Sequence, residues 1–255
     1  MKRILCPNLP VPGRPVELPE AEARHATLVL RLRDGDEVEA IDGKGNATVG
    51  ILRVRGGPIR LESTGAAPII RGADRHETVP LSLELSVLKG DAMEWVVEKA
   101  VELGVRRLVP TLTSHTVVQI DRKGPEFFQQ RWQKIADQAL KQCGRLERME
   151  ILPPLDFEAV LLRSPHSAKK PRIWCDEAVA KDGEFLLERL RKLEGIEEVS
   201  LLIGPEGGWS QTERERLLNP STGAGERVSL GPLTLRAETA ALFAISLAVA
   251  RFRFN

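Results

Sequence analysis

None of the 255 residues falls in an apolar stretch approaching the roughly 20 residues that a membrane-spanning helix needs, so an integral helical membrane protein is excluded. Cysteine is scarce. Cys6, Cys143 and Cys175 lie far apart, form no C-x-x-C pair, and leave one thiol over in any pairing, so they read as buried or idle thiols of a reducing cytosol. His25, His76, His115 and His166 show no H-x-x-x-H or His/Cys grouping, and no metal site is expected. A dominant charge is also missing: 37 Lys and Arg meet 36 Asp and Glu, a net +1, so a nucleic-acid partner would have to be held by local basic patches. The start, MKRILCPNLPVPG, has only a short apolar run before Pro7, too short for a secretory signal, and a cytoplasmic location is expected. There is no internal repeat and no low-complexity tract.

What is present is an ordinary globular composition, 42% hydrophobic and 29% charged, in a chain long enough for two domains. Up to about residue 70 the pattern is short β-like runs, Glu37 to Ile41 and Thr48 to Val54, separated by turn signals at Arg33 to Asp36 and Asp42 to Asn46. One helix is expected there at Pro19 to His25, with proline in its first turn and early carboxylates that suit the helix dipole. The polar stretch Pro68 to His76 marks a boundary, giving domains 1–72 and 73–255.

Beyond it, strand and helix signals alternate. Leu81, Leu83, Leu85 and Val87 recur at period two, a strand with one buried face. A helix capped by Asp91, with Glu94 completing a capping box, runs to Gly104. The strand Arg107 to Leu112 follows, then a helix from about Pro125 to Cys143. From Arg122 to Arg148 there are seven Lys or Arg against three acids, which suits either a solvated helix face or RNA phosphates. Further strands are expected at 150–152, 172–175, 199–203 and 227–230, with helices at 183–194, 211–218 and 237–252. Such alternation implies an α/β fold with a mostly parallel sheet covered on both faces.

Two strand-to-helix turns concentrate the chemistry. The run Val199 to Ile203 enters Gly204-Pro205-Glu206-Gly207-Gly208-Trp209-Ser210, and Ser210 with Glu213 reads as a capping box opening the next helix. Ligands of α/β proteins bind at the carboxyl ends of parallel strands, and glycine there lets backbone amides approach them closely. The loop is neither a Walker motif nor G-x-G-x-x-G, so by itself it reads equally as a tight turn. The second turn, Val228 to Ala241, passes through Gly231-Pro232 into a helix whose start carries Arg236, Glu238 and Thr239, a set that packing alone does not explain.

Together these turns resemble the signature of the RsmE family, ribosomal RNA small subunit methyltransferase E, of the SPOUT class. The resemblance extends to Leu88–Val105, Arg131–Ala136, Gln142–Arg145 and Leu30–Val38, and so to nearly the whole chain. It implies a small PUA-like RNA-binding β-barrel followed by a SPOUT methyltransferase domain with a C-terminal deep trefoil knot. It also implies a homodimer that transfers a methyl group from S-adenosylmethionine to N3 of one uridine in 16S rRNA. The cofactor would lie against Ile203, Gly204, Pro205, Glu206, Gly207, Gly208, Leu230, Gly231, Leu235, Arg236 and Thr239.

Uracil N3 carries a proton, so the reaction needs a base or a cation that stabilises the anion. Arg236 is the expected cation, with Arg145 as its candidate partner, and Glu206 and Glu238 are candidate bases. The target uridine needs an apolar slot, to which Trp209 could contribute or could instead belong to the core. RNA contacts are expected from Arg31, Arg33, Arg53, Arg55, Lys89, His115, Arg131, Gln142 and Arg145. At His115 the family more often has arginine, and the histidine reads equally as a loop-end residue without a task. Two other functions fit the same sequence: methylation of a ribose hydroxyl or a transfer RNA base, and a non-catalytic ribosome-assembly factor.

Overall fold

The computed structural model describes residues 1–65, 79–120, 122–163, 165–180, 182–219 and 225–253. The expected boundary at 72/73 lies outside the described residues. The chain divides into two units, and the first recruits Asp137–Arg148 in addition to the N-terminal residues. This excursion had no signal in the sequence.

In the first unit the two β-like runs become β3 and β4 of a five-stranded sheet whose other strands the sequence pattern did not mark: β1 (Lys2–Leu5), β2 (Val16–Glu17), β3 (Glu37–Ile41), β4 (Ala47–Arg53) and β5 (Arg60–Ser63), in the order β1-β3-β4-β5-β2. β1 pairs with β3 in parallel and the other pairings are antiparallel. The β3–β4 turn closes on Asp42, whose carboxylate accepts the amides of Lys44 and Asn46 at 2.7 and 3.0 Å. Inward residues Ile4, Val38, Ala40, Leu52 and Leu61 build the core. Pro19 stands one residue before the expected first turn, as the cap of α1 (Glu20–Arg24), which continues as a π-helical turn, His25–Val29. Within this unit Lys141 pairs with Glu22 at 2.7 Å, both side chains largely buried.

The second unit alternates strands and helices as expected, with β9 and α4 in addition to the expected elements: β6 (Leu81–Ser86), α2 (Asp91–Glu102), β7 (Arg107–Leu112), α3 (Pro125–Cys143, whose last residues belong to the first unit), β8 (Glu150–Ile151), β9 (Leu155–Asp156), α4 (Phe157–Arg163), β10 (Arg172–Cys175), α5 (Leu186–Arg191), β11 (Val199–Ile203), α6 (Gln211–Leu218), β12 (Glu226–Val228) and α7 (Ala237–Arg253). Every pairing is parallel, in the order β12-β10-β11-β6-β7-β8, with β9 also on β7.

Four local expectations change. β6 is buried along its whole length, because it is central in the sheet and covered on both faces. Its Ser82, Glu84 and Ser86 are therefore inside, and Glu84 is matched by Arg172 of β10 at 2.6 Å with both side chains at 2% exposure or less. Asp91 does not cap α2: Gly90, at φ +60°, holds the cap position and makes no side-chain bond, so there is no capping box. α5 is shorter than 183–194, because Ser229 accepts the Leu186 amide and donates its own amide to the Glu184 carbonyl, holding the approach to the helix extended. For the same reason the last strand ends at Val228, and Ser229 only bridges to Phe185.

Candidate active site

Because β6, β7, β10, β11 and β12 run parallel, their carboxyl ends deliver five loops to one edge of the second unit's sheet. Hydrogen bonds stitch these loops together. Glu206, after β11, accepts the amide of Lys89, after β6, at 2.9 Å. Trp209 donates its indole N–H to the Cys175 carbonyl at the end of β10, at 2.9 Å. Ser229, after β12, donates its hydroxyl to the Ala180 carbonyl at 3.1 Å and accepts the Gly231 amide at 3.0 Å.

The expected capping box of α6 is present, and it does more than close the helix. Glu213 accepts the Ser210 amide at 2.8 Å and the Ser114 amide, from the loop after β7, at 2.7 Å. His115 in that same loop lies against the glycine turn, its Nδ1 donating to the Gly207 and Gly208 carbonyls at 3.0 and 2.9 Å. The histidine is thus a brace of this loop, and its Nδ1 is not free for RNA.

These loops enclose a cavity of about 670 Å³. Ile203, Gly204, Pro205, Glu206, Gly207 and Gly208 line it from the first loop, and Leu230, Gly231, Leu235, Arg236 and Glu238 from the second. Thr239 is exposed and outside this lining. The glycines are needed by space: a Cβ on Gly204 would stand 2.9 Å from the Trp209 ring, and one on Gly207 3.0 Å from the His115 Cβ. Trp209 is 2% exposed and packs edge-on against Trp174 at 6.2 Å, so it belongs to the core beneath the loop and offers no slot for a base.

Among the lining residues that had no sequence signal are Cys175, which ends β10, and Asp176, Glu177 and Ala180, which follow it. Asp176 is buried, caps the turn Glu177–Val179 through the Ala178 amide, and pairs with both Arg214 of α6 and Arg227 of β12. Burial pushes its carboxyl upward, yet the bonds from Arg214, the Ala178 amide and Arg227 win and hold it below the ordinary aspartate range. Glu213 behaves alike: burial raises it, and the amides and hydroxyls of Ser114 and Ser210 bring it down further. The Cys175 thiol is pushed up to about 12 by burial and by Asp176, which makes it unreactive.

Depressed carboxyls stabilise the fold above their ordinary range and lose that contribution as pH falls through their lowered values. The contribution of Asp176 and Glu213 to thermal stability is therefore expected to be level from neutral pH to about pH 5 and to fall below about pH 4. Asp176→Asn should lower Tm at neutral pH and flatten that acid limb. An unchanged limb in this variant would remove Asp176 as its origin.

The other expected RNA residues separate. Arg31, Arg33 and Arg55 are exposed, whereas Arg53 pairs with Glu62 at 2.8 Å. Arg131 is paired with Glu94, and Lys89 lines the cavity. Gln142 is exposed and Arg145 half-buried with polar partners, both in the first unit. Among the described residues no group of His, Cys, Asp or Glu is arranged to hold a metal, and no helix is long and apolar enough to cross a membrane.

A family model described as an RNA methyltransferase domain matches residues 75–249, and one described as an RNA methyltransferase PUA domain matches residues 18–54. The chain is similar to ribosomal RNA small subunit methyltransferase E of Bacillus subtilis (strain 168), 28% identical over 233 residues that span 88% of this chain and 86% of that one. In structure it resembles a methyltransferase from Legionella pneumophila in complex with the cofactor SAM, with a TM-score of 0.82, 26% identity and coverage of 97% and 96%. A ribosomal RNA small subunit methyltransferase E from Neisseria gonorrhoeae bound to S-adenosyl methionine superposes with a TM-score of 0.75 at 27% identity, covering 96% and 95% of the two chains.

Proposed function

Because the chain belongs to the RNA methyltransferase family, we propose that it transfers a methyl group from S-adenosylmethionine to N3 of one uridine in 16S rRNA, acting in the cytoplasm as a homodimer. The second unit would be a SPOUT domain with its C-terminal knot and the first a PUA-like RNA-binding module. The observation that carries this reading is the cavity at the carboxyl ends of β6, β10, β11 and β12, built from two glycine turns and exposing one arginine.

The residues present fit the cofactor. The cavity has the size of a small-molecule site. Ile203, Leu230 and Leu235 offer apolar wall to a purine, and Gly204, Gly207 and Gly208 line the cavity with backbone. Glu206 and Glu238 supply negative charge toward a cationic ligand, whereas Asp176 and Glu177 are already paired with arginines. When bound, S-adenosylmethionine supplies an electrophilic methyl group on a sulfonium.

The chain's own residues then have to align the uracil, exclude water and manage one proton. Removing the N3 proton leaves negative charge on N3 and the flanking carbonyl oxygens. The Arg236 guanidinium stabilises that charge. It lines the cavity, is exposed, and makes no ion pair with any described residue. The carboxylates of Glu238, in the first turn of α7, and Glu206 line the same cavity and are the candidate acceptors of the proton.

Titration calorimetry with S-adenosylmethionine, followed by methyl transfer to 16S RNA or 30S subunits and nucleoside mass spectrometry, tests the reading. Cofactor binding with 3-methyluridine as product is expected. A different methylated nucleoside would overturn the substrate, and absence of cofactor binding would overturn the activity.

A further inference from the structure

In the first unit the chain exposes two large aliphatic side chains side by side: Leu28 is 68% and Val29 66% accessible, while the neighbouring Ala26 is fully buried. The backbone causes this. A π-helical turn closes with the Leu30 amide on the His25 carbonyl at 3.0 Å and the Leu32 amide on the Ala26 carbonyl at 3.0 Å. Thr27 is tied down through its hydroxyl to the Ala23 carbonyl at 3.0 Å. The turn thus anchors on Ala26 and Thr27 and pushes the following pair outward. Such widened turns are uncommon and are found frequently at functional sites.

The chain leaves this turn through Arg31 at φ +53°, in the left-handed region that a residue with a side chain occupies only at a cost. The outcome is that Arg24, Arg31 and Arg33 are all exposed, and none forms an ion pair with a described residue. From Ala23 to Arg33 the sequence has no carboxylate. Two exposed aliphatic side chains among three arginines without ion pairs to the described residues fit poorly with water. They fit a polyanion that also offers apolar faces.

We propose that Leu28 and Val29 form an apolar prominence that packs against unstacked bases of single-stranded RNA while Arg24, Arg31 and Arg33 hold its phosphates. Charge complementarity selects this occupant over a second copy of the chain, whose corresponding face would be equally cationic. Apolar side chains such as leucine insert between base steps in nucleic-acid complexes and hold them partly unstacked. The inference deepens the RNA methyltransferase reading by assigning the recognised form of RNA to named residues, and it rests on that reading.

The test uses the full-length protein with a short single-stranded RNA of mixed sequence and the blunt duplex of the same sequence, titrated over a range of salt. The double variant Leu28→Ser/Val29→Ser is expected to bind the single strand roughly fivefold to tenfold more weakly. Its dependence on salt should be unchanged, because no phosphate contact is lost. Arg31→Gly should do the converse: the slope of log K against log salt falls by about 0.7, while Tm rises as glycine accepts φ +53° without strain.

Loss of duplex binding equal to the loss for the single strand would overturn the base contact. A double variant that alters sedimentation mass while leaving RNA affinity intact would assign the prominence to a second copy and overturn the proposal. If the wild type binds S-adenosylmethionine and methylates 16S RNA, yet the double variant binds RNA as the wild type does, the prominence fails and the family reading stands. If the wild type neither binds RNA nor methylates it, the functional reading fails and the prominence falls with it.

Discussion

Arg236→Ala is expected to abolish methyl transfer, a loss in kcat on the order of a thousandfold, because one preorganised cation facing developing negative charge commonly contributes that much. Cofactor affinity should stay within about tenfold, or about 1.4 kcal/mol. The separation follows from where the residue sits. Arg236 precedes α7, contributes its carbonyl to the Ala240 amide through backbone alone, and has its side chain exposed in the cavity wall. Removing the guanidinium therefore leaves the helix, the glycine turns and the apolar wall in place, and Tm should not move. Arg236→Lys keeps a charge without the planar fork and should recover only part of the rate. Near-normal turnover in Arg236→Ala, measured by nucleoside mass spectrometry, would remove this residue from the reaction.

Glu84→Ala carries the largest expected effect on stability, about 3 to 5 kcal/mol by denaturant titration. The side chain lies in the central strand of the sheet, and its loss leaves the Arg172 guanidinium at 1% exposure without its carboxylate partner, although it still donates to the Val160 carbonyl. An arginine cannot relieve that burial by giving up its proton. Glutamate can take one. Burial already holds Glu84 above the ordinary glutamate range against the opposing pull of Arg172. In Arg172→Met the carboxyl is raised further, so the folded state binds the extra proton more readily than the unfolded chain. The destabilisation should then shrink as pH falls toward the ordinary range of glutamate. Replacing both residues by apolar ones of similar volume should cost far less than Glu84→Ala, since the expensive state is the unpaired charge. A double variant as unstable as Glu84→Ala would show that the pair acts through shape alone.

Local rules explain which parts of this molecule could be read in advance. Ser210 and Glu213 are three residues apart on one turn, so the capping box was visible in the sequence and is present. Gly204, Gly207 and Gly208 were legible as a tight turn at a strand end, and Gly231 with Pro232 as a second. Their meeting in one cavity was expected only from the family resemblance, because no local rule sets β11 and β12 on either side of β10 in the sheet. Asp91 shows the opposite failure. Its capping pattern is correct in spelling, but Gly90 already turns the chain at φ +60° and holds the cap position.

Strand β6 makes the same point on a larger scale. Its period of two suggested one wet face, and the polar half of the pattern turned out to be buried, since Glu84 meets a partner 88 residues away. Asp176 carried no signal for a comparable reason: Arg214 and Arg227, which hold it in place, are 38 and 51 residues distant.

By itself, then, the sequence determined most of the longer strands and helices, the two glycine turns and the cap of α6, all of which arise from contacts within a few residues, while the candidate chemistry of Arg236 came from the family resemblance. The tertiary structure alone decided that five strand ends share an edge, that Asp176 and Glu177 join the cavity, that His115 braces the glycine turn, and that Trp209 lies in the core. These depend on strand order and on side chains paired over long separations. Such pairing is set by burying both faces of a parallel sheet and by matching each buried charge, which no local pattern encodes.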